Sequence, residues 1–178
     1  MTRKNDRIIK AFYRIYDAMR DKAFTKSRKI TEYNEKELLI PVRFYLLGEF
    51  GNVTPECQSY TDPGQSIHKR IDFVINEKIA VEFAVRSKND GPGKVAAKTN
   101  ETEIKKLIRW TKGPAILVLF DFSGSPLPIE VLHKFKLPPT LGSGNHKKSS
   151  YWVIYYWYDY SAGESRHIQI GTQVKRKK

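Results

Sequence analysis

The chain has 178 residues and a net charge of +13, from 32 Lys and Arg against 19 Asp and Glu. Its length and its 40% apolar content predict one globular domain over residues 1–178. The single cysteine, Cys57, excludes an intrachain disulfide and a zinc site built from thiolates, and the longest apolar run, Pro114 to Phe120, is too short to span a bilayer. We therefore expect a soluble cytoplasmic protein with a nucleic-acid partner and no membrane association, rather than an ordinary basic protein.

Hydrophobic spacing predicts an alternation of helices and strands. An amphipathic helix is predicted from Asp6 to Phe24, and a second from near Asn34 to Gly51, in which Pro41 either kinks the helix or lies in the first turn of a later one. Three strands follow, "ECQSY", "KRIDFVI" and "IAVEFAVRS", the last two joined by the tight turn "NEK". "NETEIKKLIRWTK" then has helical spacing, and "AILVLFDF" has the continuous apolar character of a buried strand.

The last third of the chain predicts a short helix at "PIEVLHKFK", a loop at "LPPTLGSGNHKKSS" and a β-hairpin at about 151–174, before the basic tail "KRKK". The first hairpin strand, "YWVIYYWYDY", is aromatic on both faces. One face is expected to join the core. The other is expected either to stack bases or to form a homodimer interface, and we favour the homodimer.

Two acids lie within aliphatic strands, where an unpaired buried charge costs several kcal/mol. Side chains two residues apart share a strand face, and the turn at 76–78 makes the strands antiparallel, so Asp72 is expected near Glu82. Close carboxylates repel unless a cation lies between them, and Mg²⁺ suits such oxygen ligands. The alternative is a pair of acids neutralised by Arg70 and Arg86 at a sheet edge. Glu35 lies on the apolar stripe of the second helix and either leans toward the same place or is an ordinary first-turn acid.

The pattern "E-x-E-L-L" on a helix, then "R-I-D-F-V-I" and "I-A-V-E-F-A-V" on a hairpin, resembles the PD-(D/E)XK nuclease superfamily, which includes restriction endonucleases, Holliday-junction resolvases and repair nucleases. "ETEIKKLIRW" and "AILVLFDF" complete that family's αβββαβ order, so the resemblance covers about residues 33–122. It implies a restriction-endonuclease-like α/β fold, with an added N-terminal helix and C-terminal aromatic hairpin, and a Mg²⁺-dependent deoxyribonuclease activity with Mn²⁺ as a substitute. It further implies that Asp72, Glu82 and the Phe83 carbonyl bind the metal, with Glu35 as the helix acid.

Ala84 departs from the family pattern, which has a lysine at this position. That lysine is thought to orient the attacking water and to stabilise the developing phosphate charge, and an alanine can do neither. Arg86 on the same strand face and Lys105 on the following helix are the predicted catalytic replacements. Otherwise the chain keeps the fold but has lost cleavage, and is a nucleic-acid-binding module or an assembly subunit. An RNA-binding protein that stacks bases on the aromatic hairpin is the third alternative.

Basic residues flank the predicted site. The loop "RSKNDGPGKVAAK" contains two glycines and is expected either to close on a nucleic-acid backbone or to remain a solvated loop. The predicted nucleic-acid contacts are Arg70, Lys88, Lys94, Lys98, Arg109, Lys147 and Lys148.

Overall fold

The computed structural model describes residues 3–21, 35–61, 68–141 and 149–172. These residues form a mixed α/β structure with four α-helices and one six-stranded sheet. The helices are α1 (Arg3–Arg20), α2 (Glu35–Phe50), α3 (Glu101–Arg109) and α4 (Ile129–His133). The strands are β1 (Val53–Thr61), β2 (His68–Ile75), β3 (Ile79–Arg86), β4 (Ala115–Asp121), β5 (Trp152–Asp159) and β6 (Glu164–Gly171).

The strands lie side by side in chain order, so β1 and β6 form the two edges of the sheet. Strands β1 and β2 pair antiparallel, and so do β2 and β3, as the tight turn at residues 76–78 requires. Helix α3 carries the chain back across the sheet, and β4 therefore runs parallel to β3. Strand β5 is parallel to β4 and β6 returns antiparallel to it, which gives a mixed sheet.

The core has two layers, one on each face of the sheet. Phe12 of α1 and Val42 of α2 pack on one face, against strand residues such as Phe83. Leu107 of α3 packs on the opposite face, together with Ala84. Every residue of β3 and β4 is buried, which accounts for their continuous apolar sequences. Because side chains alternate along β3, Glu82 and Ala84 point toward the layer that contains α3.

Helix α2 continues through Pro41, so of the two alternatives for this proline the later start of the helix is wrong. Leu38, Val42 and Leu46 form its buried stripe, and Pro41 itself is exposed. The predicted starting position near Asn34 lies outside the described residues. None of the helices in the described ranges is long and apolar enough to cross a membrane.

The aromatic strand is β5, and it lies inside the sheet between β4 and β6. Tyr151 and Tyr155 are buried in the layer with α3, whereas Ile154 and Tyr156 are buried in the layer with α1. Both faces of this strand are covered from Val153 to Tyr156, which leaves no aromatic face there for base stacking or for a homodimer, whereas Trp152, Trp157 and Tyr158 are half-buried. Tyr160, just beyond the strand, is the aromatic residue of this segment that is largely exposed.

Candidate functional site

The two predicted acids lie where β2 and β3 separate. Backbone pairing between these strands includes Phe73 with Val81, and the next residues in this register are Asp72 and Glu82. Here the Phe83 N–H donates to Asp72 Oδ2 at 2.9 Å instead of extending the ladder. The separation of the strands therefore gives the Asp72 carboxylate a place beside β3, next to Glu82.

A pocket of about 190 Å³ opens above this acid pair, between the hairpin, the start of α2 and α3. It brings together Glu35, Asp72, Glu82 and Phe83, which are the four residues predicted for the acids and the metal. Its charged lining residues are Glu35, Asp72, Glu82, Lys94, Glu103 and Lys106. Glu103 was not anticipated from the sequence; it lies on the same side of α3 as Lys106, three residues away.

Lys106 provides a positively charged side chain in the pocket, where position 84 has an alanine. Its Nζ lies 2.7 Å from Glu82 Oε2 and donates to the Arg70 carbonyl at 2.8 Å. The Lys106 side chain is only 10% exposed and that of Glu82 only 1%, so the ion pair is buried. Ala84 lines the same pocket, where a longer side chain would occupy space now open in front of the acids.

Sequence periodicity gave no reason to choose Lys106. The apolar stripe of α3 contains Ile104, Leu107 and Ile108, and Lys106 lies off that stripe, which predicts an exposed side chain. The useful observation in the sequence was the missing lysine at position 84, which makes each of the two adjacent lysines of "EIKKLI" a candidate.

The acids of the pocket hold protons more strongly than usual. Burial, followed by the charge of Asp72, raises the pKa of Glu82 well above its ordinary value. Burial also raises the pKa of Asp72, against the hydrogen bond from the Phe83 N–H, and burial and Asp72 together raise the pKa of Glu35. Burial alone would lower the pKa of Lys106, but the Glu82 carboxylate beside it raises it. The pocket therefore favours an additional positive charge, either a proton or a metal ion.

The donor atoms fit a hard divalent cation. Glu82 Oε1 is buried without a hydrogen-bond partner, an arrangement that is costly unless a cation binds there. Within the described ranges, no group of three or more His, Cys, Asp or Glu side chains is arranged to hold a metal ion. A metal here would accordingly take two carboxylates, Asp72 and Glu82, with the Phe83 carbonyl and water. Mg²⁺ suits such a site, because it commonly binds one or two carboxylates and keeps several waters.

Arg86 does not line the pocket, although it shares a strand face with Glu82. Its Nη1 lies 3.0 Å from Asp121 Oδ2 and donates to the Ser125 carbonyl at 2.9 Å. Tyr155 also donates to Asp121 Oδ2. Arg86 lies four residues beyond Glu82, or about 13 Å along a strand. The structure corrects the prediction that Arg86 replaces the lysine, because its guanidinium is paired with a buried acid at the far end of β3.

Lys105 is likewise outside the pocket. It forms an i,i+4 ion pair with Glu101, with Nζ 2.5 Å from Oε1, and its side chain is 31% exposed. One residue corresponds to a rotation of about 100° around a helix, so Lys105 and Lys106 point in clearly different directions. The prediction that Lys105 provides a cation to the site is therefore wrong, and the lysine of this helix that lines the pocket is Lys106.

The loop after β3 is held in place rather than free to close. Residues Pro92–Val95 form a 3₁₀ turn. The buried Asn100 side chain donates to the Lys94 carbonyl at 3.3 Å and to the Ala96 carbonyl at 2.9 Å, and Thr99 Oγ1 donates to the Gly93 carbonyl. These bonds position the backbone of Lys94, whose side chain lines the pocket.

The other predicted nucleic-acid contacts are more scattered. Arg70, Lys88 and Lys98 are exposed on segments that flank the pocket. Arg109 instead donates to the Leu141 carbonyl and does not line the pocket. Lys147 and Lys148, like the basic tail, lie outside the described residues.

No protein-family model, no curated protein and no solved structure matches this chain. The resemblance to the PD-(D/E)XK superfamily thus remains a prediction from the residues quoted above.

Proposed function

We propose that the chain is a Mg²⁺-dependent endonuclease that hydrolyses DNA phosphodiester bonds on a restriction-endonuclease-like core. The observation that carries this proposal is the buried group of Asp72, Glu82 and Lys106, in which one Glu82 oxygen has no hydrogen-bond partner. Two acids and one ammonium in a pocket are the charges required to bind a metal and a phosphate together.

Each of the pocket residues has a separate role in phosphodiester hydrolysis. Asp72, Glu82 and the Phe83 carbonyl would hold the metal, which when bound polarises the phosphate and lowers the pKa of a water. Lys106 presents a fixed positive charge to the negative charge that develops on the pentacovalent phosphate. Glu35, which lines the same pocket from the start of α2, accepts a hydrogen bond from the attacking water and orients it.

The surrounding charge supports a nucleic-acid substrate. The chain carries a net charge of +13, and Lys94 contributes a cation to the pocket itself. Arg70, Lys88 and Lys98 are exposed nearby along the chain. Lysine and arginine contacts to phosphates release counterions, so binding is expected to weaken steeply as salt is added.

A second candidate is a DNA-binding module that does not cleave. The Lys106–Glu82 ion pair favours it, because the ammonium already neutralises one of the two acids without any metal. Such a module would bind DNA with the same salt dependence, and Mg²⁺ would not change its affinity beyond the effect of ionic strength.

The test incubates the purified chain with single-stranded, duplex and branched DNA in Mg²⁺, Mn²⁺ or EDTA. Asp72→Ala and Glu82→Ala are compared with Glu130→Ala, which removes an exposed acid on α4. Metal-dependent cleavage that both pocket variants lose and the control keeps is the expected result. Cleavage that survives Glu82→Ala would overturn the proposal, and salt-sensitive binding without cleavage would select the second candidate.

A further inference from the structure

The outer face of α2 carries a row of exposed apolar side chains. Ile40 is 63% exposed, Phe44 66% and Leu47 38%. Their spacing of i, i+4 and i+7 places them in one line along the helix, which we call the outer stripe. The opposite side of α2 is already buried through Leu38, Val42 and Leu46. A surface helix needs only one apolar face, so a second one indicates an interaction surface.

The outer stripe lies close to the pocket along the chain, because α2 begins with Glu35. At about 1.5 Å per residue, Ile40 and Leu47 lie about 8 and 18 Å from Glu35 along the helix axis. A partner bound to the stripe would lie on the outer side of α2, with the helix between it and the pocket that Glu35 lines. This surface is present whether or not the pocket is catalytic.

One flank of the outer stripe is basic. Lys36 precedes Ile40 by four residues and Arg43 precedes Leu47 by four, so each cation lies beside one member of the stripe. Both cations are exposed. A partner that covers the stripe is therefore expected to carry acidic groups along the matching flank.

No segment outside the described ranges has both the charge and the apolar residues needed to cover the stripe. Residues 22–34 contain four Lys or Arg and one Glu, residues 142–148 contain two Lys and no acid, and residues 173–178 contain four Lys or Arg and no acid. Like charges placed together across an interface cost binding energy. Residues 62–67 contain one acid, Asp62, but only one aliphatic side chain, Ile67, which is too few to cover a stripe of three apolar residues.

A second copy of the chain is also disfavoured. Two α2 helices paired antiparallel around a two-fold axis bring the same flank of each helix together. Lys36 and Arg43 of one copy would then lie along the same flank as Lys36 and Arg43 of the other, in a protein whose net charge already opposes self-association. Nucleic acid has the right charge and Phe44 offers it one stacking surface, but the aliphatic residues Ile40 and Leu47 offer it neither a hydrogen bond nor a second stacking surface.

We propose that the outer stripe of α2 binds an amphipathic helix of another protein, with an aliphatic face and acidic residues along one flank. Residues at i, i+4 and i+7 are the usual anchors when helices are recognised through an apolar face. Phe44, at the centre of the stripe, is the anchor that enters the partner most deeply.

The test measures binding of the full chain to two labelled synthetic helices by fluorescence anisotropy. The helices share one leucine face and differ only in the flank, which is glutamate in one and lysine in the other. The glutamate helix is expected to bind, and Phe44→Asp to weaken it tenfold or more, as is typical of a central anchor residue. The matched control is Tyr160→Asp, which changes an aromatic residue of similar exposure, 64%, on another surface. Arg43→Glu should shift the preference toward the lysine helix, a readout that loss of folding would not produce.

Four results would overturn the proposal. Equal binding of both helices, or binding of neither, would show that the basic flank does not select an acidic partner. A dimer in light scattering that Phe44→Asp converts to monomer would identify the occupant as a second copy. Loss of DNA affinity in Phe44→Asp, without peptide binding by the unmodified chain, would assign the stripe to nucleic acid. None of these measurements requires metal or cleavage, so they are independent of the proposed nuclease activity.

Discussion

Lys106 lies 2.7 Å from Glu82, although 24 residues separate them in the chain. The acid comes from the central strand β3, and the ammonium from the helix packed over that strand. The charge that a lysine at position 84 would have supplied therefore comes from the neighbouring layer. As a result, the electrostatics of the pocket depend on how α3 packs against the sheet.

Replacing Lys106 should show whether its positive charge is needed for cleavage. Lys106→Met keeps an apolar side chain of similar length and removes the charge. We expect single-turnover cleavage at saturating Mg²⁺ to fall about 10²–10³-fold, the usual effect of removing one stabilising group from a developing oxyanion. Lys105→Met is the matched control, since Lys105 is partly exposed and paired with Glu101. Equal losses in the two variants would contradict the assigned role.

Stability has to be measured on the same variants, because Lys106→Met leaves Glu82 buried without its partner. Breaking a buried ion pair costs about 3–5 kcal/mol. The double variant Lys106→Met/Glu82→Gln should recover part of the free energy of unfolding in urea while remaining unable to cleave. A double variant that recovers cleavage together with stability would mean that the ion pair is structural only.

Binding of Mg²⁺ should release protons over a pH range that extends above the ordinary carboxyl pKa values. The pKa values of Glu82, Asp72 and Glu35 are all raised, chiefly by burial, so these acids retain protons above the ordinary carboxyl range. A metal needs the ionised form, and its affinity should therefore increase as pH rises. Calorimetric titration in two buffers of different ionisation enthalpy measures the protons released. Glu82→Gln should release fewer protons than the unmodified chain. Carboxylates with ordinary pKa values of about 4 are already ionised and would release none, so the absence of proton release from the unmodified chain would contradict the raised pKa values.

The same pKa directions fix the sign of the pH dependence of folding without metal. The native state holds protons that the unfolded chain gives up at a lower pH. The stability contributed by these acids is therefore present below their ordinary pKa and is lost as pH rises through the raised values. Mg²⁺ should oppose this loss, and its stabilising effect in thermal unfolding should grow with pH.

Arg86 should matter for stability and not for cleavage. Its ion pair with Asp121 is buried, with side-chain exposures of 7% and 1%. Arg86→Met leaves Asp121 without its cation and is expected to cost about 3–5 kcal/mol in urea unfolding. The cleavage rate per folded molecule should stay near that of the unmodified chain. A stable Arg86→Met protein that has lost cleavage would show that Arg86 takes part in the reaction and would contradict this prediction.

The part of the site that the sequence predicts correctly is the part made by local structure. Asp72 and Glu82 lie on two strands joined by a three-residue turn, and a short turn determines which residues lie opposite each other. The position of Lys106 depends instead on the packing of α3 over the sheet. Helical periodicity assigns Lys106 to the polar side of α3, although its long stem lets the ammonium reach inward.

The aromatic strand shows a second limit of sequence patterns. Alternation within "YWVIYYWYDY" separates the two faces of the strand, but it does not tell how many layers cover them. That depends on the parallel pairing of β5 with β4, a contact between distant parts of the chain. Tyr155 and Tyr156 are both buried for this reason.

The place of β5 in the sheet also affects the order in which the protein forms during its synthesis. Synthesis begins at the N-terminus, so Asp72, Glu82 and Lys106, which all precede β4, leave the ribosome before β5 does. Strand β5 begins 31 residues after the end of β4. Until then β4, whose seven residues are all buried in the finished fold, is an unpaired apolar edge. The nascent chain thus holds every charged group of the pocket while it is still prone to aggregate, and it is expected to need a chaperone until the last strands pair.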